Sequence, residues 1–139
     1  MPTQALDVTT IVTHADIVEE MGSERELRNI ITPDPSDRDD PTRPFRVLAY
    51  RDILKVLERR SPPITESMLT NLDDLKDAIR YGTIARLYRQ AVTAEGDAFY
   101  VQWKHWQGQF NAEVNGLRVR VAEAGDVDAS NLTFPVFRR

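Results

Sequence analysis

The sequence has no cysteine, which excludes disulfides and thiolate metal sites and fits a reducing compartment. It has no apolar run near the ~20 residues that a helix needs to cross a bilayer, so no membrane span is expected. The opening MPTQALDVTTIV lacks the basic start and long apolar stretch of a secretory signal, so no secretion is expected. Lysine is scarce: fifteen of the eighteen basic residues are arginine. That bias suits planar hydrogen bonding at protein interfaces, and codon composition accounts for it equally well. With a net charge of -4 the chain lacks the concentrated basic face that general affinity for nucleic acid requires.

Marks of catalysis are also missing. No GxSxG elbow, Walker loop, dinucleotide fingerprint or HExxH element occurs. The two histidines, His14 and His105, fit structural positions, one in the first turn of a capped helix and one between two tryptophans. No catalytic residue, cofactor or metal is expected, and the chain reads as a non-enzyme. Asp34, Asp37, Asp39 and Asp40 gather carboxylates. They lack the turn glycine and closing glutamate of a calcium loop, so a solvated loop is the better reading.

What is present is a chain of 139 residues, 41% hydrophobic and 29% charged, the composition of one globular domain. Its organising stretch runs from Thr70 to Gly116 and reads as two helices joined by a tight turn. Thr70 and Asp73 have the form of a capping box that opens the first helix. Leu72, Leu75, Ile79, Tyr81, Ile84, Ala85, Leu87, Tyr88 and Val92 make its apolar face broad enough to pack on more than one side. Gly82, mid-helix, costs about 1 kcal/mol relative to alanine and suggests that another backbone passes close by. The second helix opens after Glu95, Gly96 and Asp97. It sets Phe99, Trp103, Trp106, Phe110, Val114 and Leu117 in one stripe, the expected structural seam of an antiparallel hairpin.

Before the hairpin, residues 1–12 read as an N-terminal arm, without cap or period. Thr13 and Asp16 form a second capping box for a helix through Ile17, Val18 and Met21 that Gly22 closes. Ser23 and Glu26 repeat the device for a helix carrying Leu27, Ile30 and Ile31. Residues 32–44, TPDPSDRDDPTRP, read as an exposed acidic, proline-rich loop, whose Asp40 or Thr42 caps the next helix. That helix runs to about Arg60 with Phe45, Val47, Leu48, Tyr50, Ile53, Leu54 and Leu57 on its apolar side. A short turn of helix is expected within 64–69.

The fold class expected is all-α: a small helical bundle over residues 13–117, centred on the long antiparallel hairpin, with an extended C-terminal tail over 118–139. Two readings of the tail stay open. Residues 117–121 and 132–137 could pair as a hairpin around Gly125. Alternatively Leu132, Phe134, Val136, Phe137, Arg138 and Arg139 form a partner-binding strand that adds to an exposed sheet edge. The segment ADIVEEMGSERELRNII invites comparison with a DNA-binding helix-turn-helix, with Val18 four residues before Gly22. Glu24 and Glu26 would then face phosphate, so packing is the preferred use. A helix-turn-helix regulator is the alternative function.

Taken in order, the ADIVEEMG helix, LKVLERRSPPITESML, LKDAIRYGTIARLYRQA and the tail ending in FRR resemble the head-to-tail adaptor, or connector, proteins of tailed bacteriophages. The resemblance implies a homo-oligomeric ring, twelvefold in that family, beneath the portal protein of a phage or gene transfer agent. It also implies a surface for the downstream head-completion, stopper or tail protein, and a channel that DNA traverses without sequence-specific binding. The place implied is the virion neck, reached from the host cytoplasm during assembly. The acidic loop 32–44 departs from the pattern; facing such a channel, its aspartates would repel DNA.

Overall fold

The computed structural model describes residues 8–30, 40–93 and 97–121. They form six α-helices: α1 Val8–Ile11, α2 His14–Met21, α3 Glu24–Ile30, α4 Arg43–Glu58, α5 Lys76–Ala91 and α6 Ala98–Asn115. Two 3-10 turns, Glu66–Met68 and Leu72–Leu75, fill the passage from α4 to α5. There is no β-strand among the described residues, and one isolated antiparallel bridge joins Leu69 to Val121. The protein is all-α and is built on the α5–α6 pair.

Helix α5 is the axis. It lies against α6 on one side and α4 on another, and α2 and α3 touch it as well. Its Ala78, Ile79, Gly82, Thr83, Ile84, Ala85, Leu87 and Tyr88 are all buried, so its apolar surface runs most of the way round, as a core helix requires. Helix α6 runs antiparallel to it. Phe99 meets Tyr88 with ring centroids 6.3 Å apart, and Trp106 meets Tyr81 at 6.0 Å. Further along, Phe110 covers Gly82. Of the aromatic stripe only Phe110 is buried; Phe99, Trp103 and Trp106 are partly buried against the core.

The space at Gly82 differs from the expectation of a passing backbone. A Cβ there would stand 2.8 Å from Cδ1 and Cε1 of Phe110 and 3.1 Å from the Cβ of Ala49. The glycine makes room for an aromatic ring from α6 and a methyl group from α4.

At the N-terminal side, Thr13 Oγ1 accepts from the Asp16 amide at 3.2 Å while Asp16 Oδ2 accepts from the Thr13 amide at 2.9 Å. This is a complete capping box on α2. Gly22 ends the helix in the left-handed region, φ 91°, where glycine pays no Cβ penalty. Ser23 Oγ then accepts from the amides of Arg25 and Glu26, which starts α3. Ile17, Leu27 and Ile30 go into the core. Tyr88 donates to Glu26 at 2.6 Å and ties α3 to the axis.

Three expectations change. The arm 1–12 contains α1, packed on α4, and Val12 is fully buried. One turn is not stable alone, so docking supplies the order that local sequence does not. Thr70 does not cap the hairpin: Asn71 Oδ1 accepts from the Asp73 amide at 2.9 Å and opens the 3-10 turn. Thr70 instead donates its amide and hydroxyl to the Arg120 carbonyl, at 3.3 and 3.2 Å. The third concerns α4, where Thr42 holds the N-cap position without a side-chain cap bond.

Thr42 is buried and accepts from Arg46 Nε at 3.2 Å. Arg46, with 0% of its surface exposed, also donates to the Val12 carbonyl and pairs with Asp40. A buried guanidinium is tolerated only when its donors find acceptors, and here they draw α1, the start of α4 and Asp40 together. Ile31 and residues 32–39 of the acidic loop lie outside the described residues.

Candidate functional site

The proposed partner-binding residues Leu132, Phe134, Val136, Phe137, Arg138 and Arg139 lie outside the described residues, but the root of their segment does not. Leu117, Val119 and Val121 are buried, so the body extends past the expected boundary at 117 as far as Val121. There Leu69 pairs with Val121; residues 132–137, the other half of the expected hairpin, lie outside the described residues. Arg120 donates its amide to Asp74 Oδ2 at 2.8 Å and its Nη2 to Asp74 Oδ1 at 2.8 Å. Nearby, Arg60 Nη2 donates to the Val114 carbonyl at 3.0 Å, and burial lowers the Arg60 pKa from its usual value. Residues 117–121 are therefore held in place, Val121 against Leu69 and Arg120 against Asp74 of the Leu72–Leu75 turn.

The described part of the helix-turn-helix segment is occupied with packing and local pairing. Leu27 and Ile30 face the core. Arg28 Nε donates to Glu24 Oε2 at 3.1 Å, which lowers the Glu24 pKa. His14 lies 3.5 Å from the same carboxylate and 3.4 Å from Thr42 Oγ1. His105 is exposed and stands edge-on to Trp106, 5.1 Å between centroids. Among the described residues no group of three or more His, Cys, Asp or Glu side chains is placed to hold a metal ion. None of the described helices is long and apolar enough to cross a membrane.

The largest departure from the sequence reading is a polar cleft lined by α4, α5 and α6. It holds about 240 Å³ and is lined by Asp52, Gly82, Arg86, Arg89, Trp103, Gln107 and Phe110. Arg86 donates Nε and Nη2 to one oxygen of Asp52, at 3.1 and 2.6 Å. Arg89 lies over the Trp103 ring, 5.1 Å from its centroid, and Lys104 lies 5.2 Å from the same centroid. Cations favour the negative face of an indole. Trp103 Nε1 is buried and has no hydrogen-bond partner among the described residues. Gln107, one turn further along α6, donates to Asn111 at 3.1 Å.

No local spacing announces this cleft, because its charged residues come from two helices more than thirty residues apart in sequence. The one signal present was the aromatic stripe, which placed Trp103 and Phe110 on the face of α6 that meets α5. Compared with family models, with curated proteins and with solved structures, the chain matches none.

Proposed function

We propose that this protein is a structural adaptor of a phage or phage-like particle such as a gene transfer agent. Copies form a ring that joins the portal to downstream connector or tail proteins around the DNA passage. It acts by binding and not by catalysis. The observation that carries this reading is a well-packed helical body held firmly up to Val121, where Val119 and Val121 are buried and Arg120 contacts Asp74. The sequence beyond includes NLTFPVFRR, whose apolar, β-preferring composition suits strand addition to a partner. Weak contacts of this kind become strong when repeated around a ring, where later ones form at high effective concentration. The order of segments that resembles the connector family supports the same reading.

The test is native mass measurement of the full chain mixed with the portal ring encoded in the same genome, beside a version truncated after Gly125. Saturable multi-copy binding is expected, and the truncation assigns the segment beyond Gly125 to the portal or to a later component. A folded full-length chain that does not bind the portal would overturn the portal assignment. Salt-dependent DNA binding that weakens on substitution of Arg25 and Arg28 would put a regulator in its place.

A further inference from the structure

We infer that the cleft between α4, α5 and α6 is a recognition socket for an acidic peptide, and that it receives one carboxylate side chain of a partner protein. Its charged lining is two guanidiniums, Arg86 and Arg89, against one carboxylate, Asp52, so the socket is locally positive in a chain of net charge -4. The inference does not depend on the chain being an adaptor.

The hydrogen-bonding state of the lining points the same way. Asp52 engages Arg86 through a single oxygen, which holds that guanidinium at the cleft with its Nη1 unmatched among the described residues. Arg89 has no carboxylate partner among the described residues and rests on the Trp103 ring, exposed to solvent. An exposed arginine on an indole can turn toward an anion without breaking an ion pair. Trp103 Nε1 is closed off from water and donates to nothing among the described residues. A buried donor left unmatched costs about 1 to 3 kcal/mol. Because it has no water to give up, an acceptor that reaches it as the rim side chains move is a gain without a matching loss. All three groups are donors, and the ligand that satisfies them is an acceptor with negative charge.

Size and surroundings select a peptide side chain over a larger ligand. A space of about 240 Å³ falls below the roughly 300 to 1,000 Å³ of small-molecule sites. Phe110 and Gly82 provide an apolar floor for the methylene stem of a glutamate. Leu48 lies one turn before Asp52 on α4, and 38% of its surface is exposed. It offers a contact for an apolar residue next to the acidic one.

The test uses the full chain labelled with 15N and an acetylated, amidated peptide, Ala-Leu-Glu-Ala-Ala. The Gln counterpart of the peptide and sodium acetate serve as comparisons. There are two tryptophans, so the indole N–H resonance of Trp103 is the one lost in Trp103→Phe. The Glu peptide is expected to move it saturably, with a dissociation constant on the order of millimolar. The Gln peptide should bind about tenfold more weakly, the difference between a charge-assisted and a neutral bond.

Arg89→Ala, at an exposed position that leaves the fold intact, should weaken the Glu peptide by about the same factor. Asp52→Asn should tighten it severalfold, since it removes the competing carboxylate while an amide oxygen still accepts from Arg86. Equal response to the Glu and Gln peptides, binding unchanged in Arg89→Ala, or acetate binding as tightly as the Glu peptide would each overturn the proposal.

Discussion

Replacing Gly82 with alanine sets two known effects against each other, and the geometry decides between them. Alanine in a helix interior is favoured over glycine by about 1 kcal/mol, so an unobstructed site would gain that amount. Here the new methyl would stand 2.8 Å from two ring carbons of Phe110 and 3.1 Å from Ala49 Cβ. Phe110 is buried and Ala49 is fully buried, so the ring and helix α4 have little room to retreat. Overpacking of this kind costs about 1 to 3 kcal/mol. The net expectation for Gly82→Ala is a loss of roughly 1 kcal/mol, or up to about 2 if α6 must shift. Urea unfolding followed by fluorescence of Trp103 and Trp106, both on α6, measures it. A partner variant isolates the cause. In a Phe110→Leu background the ring is gone, and Gly82→Ala should become neutral or stabilising. The cycle should then give a coupling of about 1 to 2 kcal/mol. A gain of about 1 kcal/mol in the wild-type background, or the same change in both backgrounds, would refute the steric account.

Other perturbations test other parts of the body. Arg46→Met strands the buried Val12 carbonyl and removes the contacts to Thr42 and Asp40. It should cost about 2 to 4 kcal/mol in chemical denaturation, whereas Asp40→Asn, at a partly exposed carboxylate, should cost clearly less. Thr13→Ala deletes the capping box of α2 and should lower stability by about 1 kcal/mol, with faster amide exchange at Asp16 as the local readout. Burial, reinforced by bonds to Glu66 and Glu26, raises the pKa values of Tyr50 and Tyr88 above the ordinary tyrosine value. Their protons stay on in the folded chain while the unfolded chain releases them. Stability should therefore hold up to about pH 10 and fall as pH rises further, more shallowly in Tyr50→Phe and Tyr88→Phe. An unchanged alkaline slope in both variants would count against this assignment.

The long helices were legible in the sequence because their apolar residues repeat at 3.6-residue spacing over four or more turns. The Thr13–Asp16 box and Gly22 were legible because capping chemistry is local. Thr70 and Asp73 satisfied the same local rule, yet Asn71 took the cap, and Thr70 was drawn to Arg120, fifty residues away. Helix α4 is the instructive case. Its expected apolar face included Leu48 and Leu54, but the residues it buries are Arg46, Ala49, Tyr50, Ile53 and Leu57. That set is in helical register, and Tyr50, Ile53 and Leu57 were read from it. Arg46 was missed because it is an arginine, and nothing local says that Val12 and Asp40 will arrive to match it. The cleft was illegible for the same reason: Asp52, Arg86 and Arg89 acquire meaning only when α4 and α5 are side by side.

The packing around α5 explains why the charged residues surface where they do. Through its middle, α5 is covered by α4 and α6 together, and every side chain from Gly82 to Ala85 is buried. Covering helices need apolar partners along their whole length to stay in contact. Helix α6 buries only Phe110 and Val114, both in its C-terminal half, opposite the first half of α5. Toward its N-terminus the aromatic stripe is only partly covered, and Val101, on its outer side, is 59% exposed. In the last turns of α5, Leu87 and Tyr88 stay buried, Tyr88 against Phe99, while Arg86 is partly exposed and Arg89 exposed. Arg86 and Arg89 stand there, where a long cationic side chain can keep its stem on apolar surface and its head at the solvent boundary. The cleft lies on this flank of α5, with Asp52 of α4 on one side and Trp103, Gln107 and Phe110 of α6 on the other. A larger side chain at Gly108, where nothing lies within 4 Å of an added Cβ, should leave both fold and cleft unchanged. One at Gly82 should disturb both.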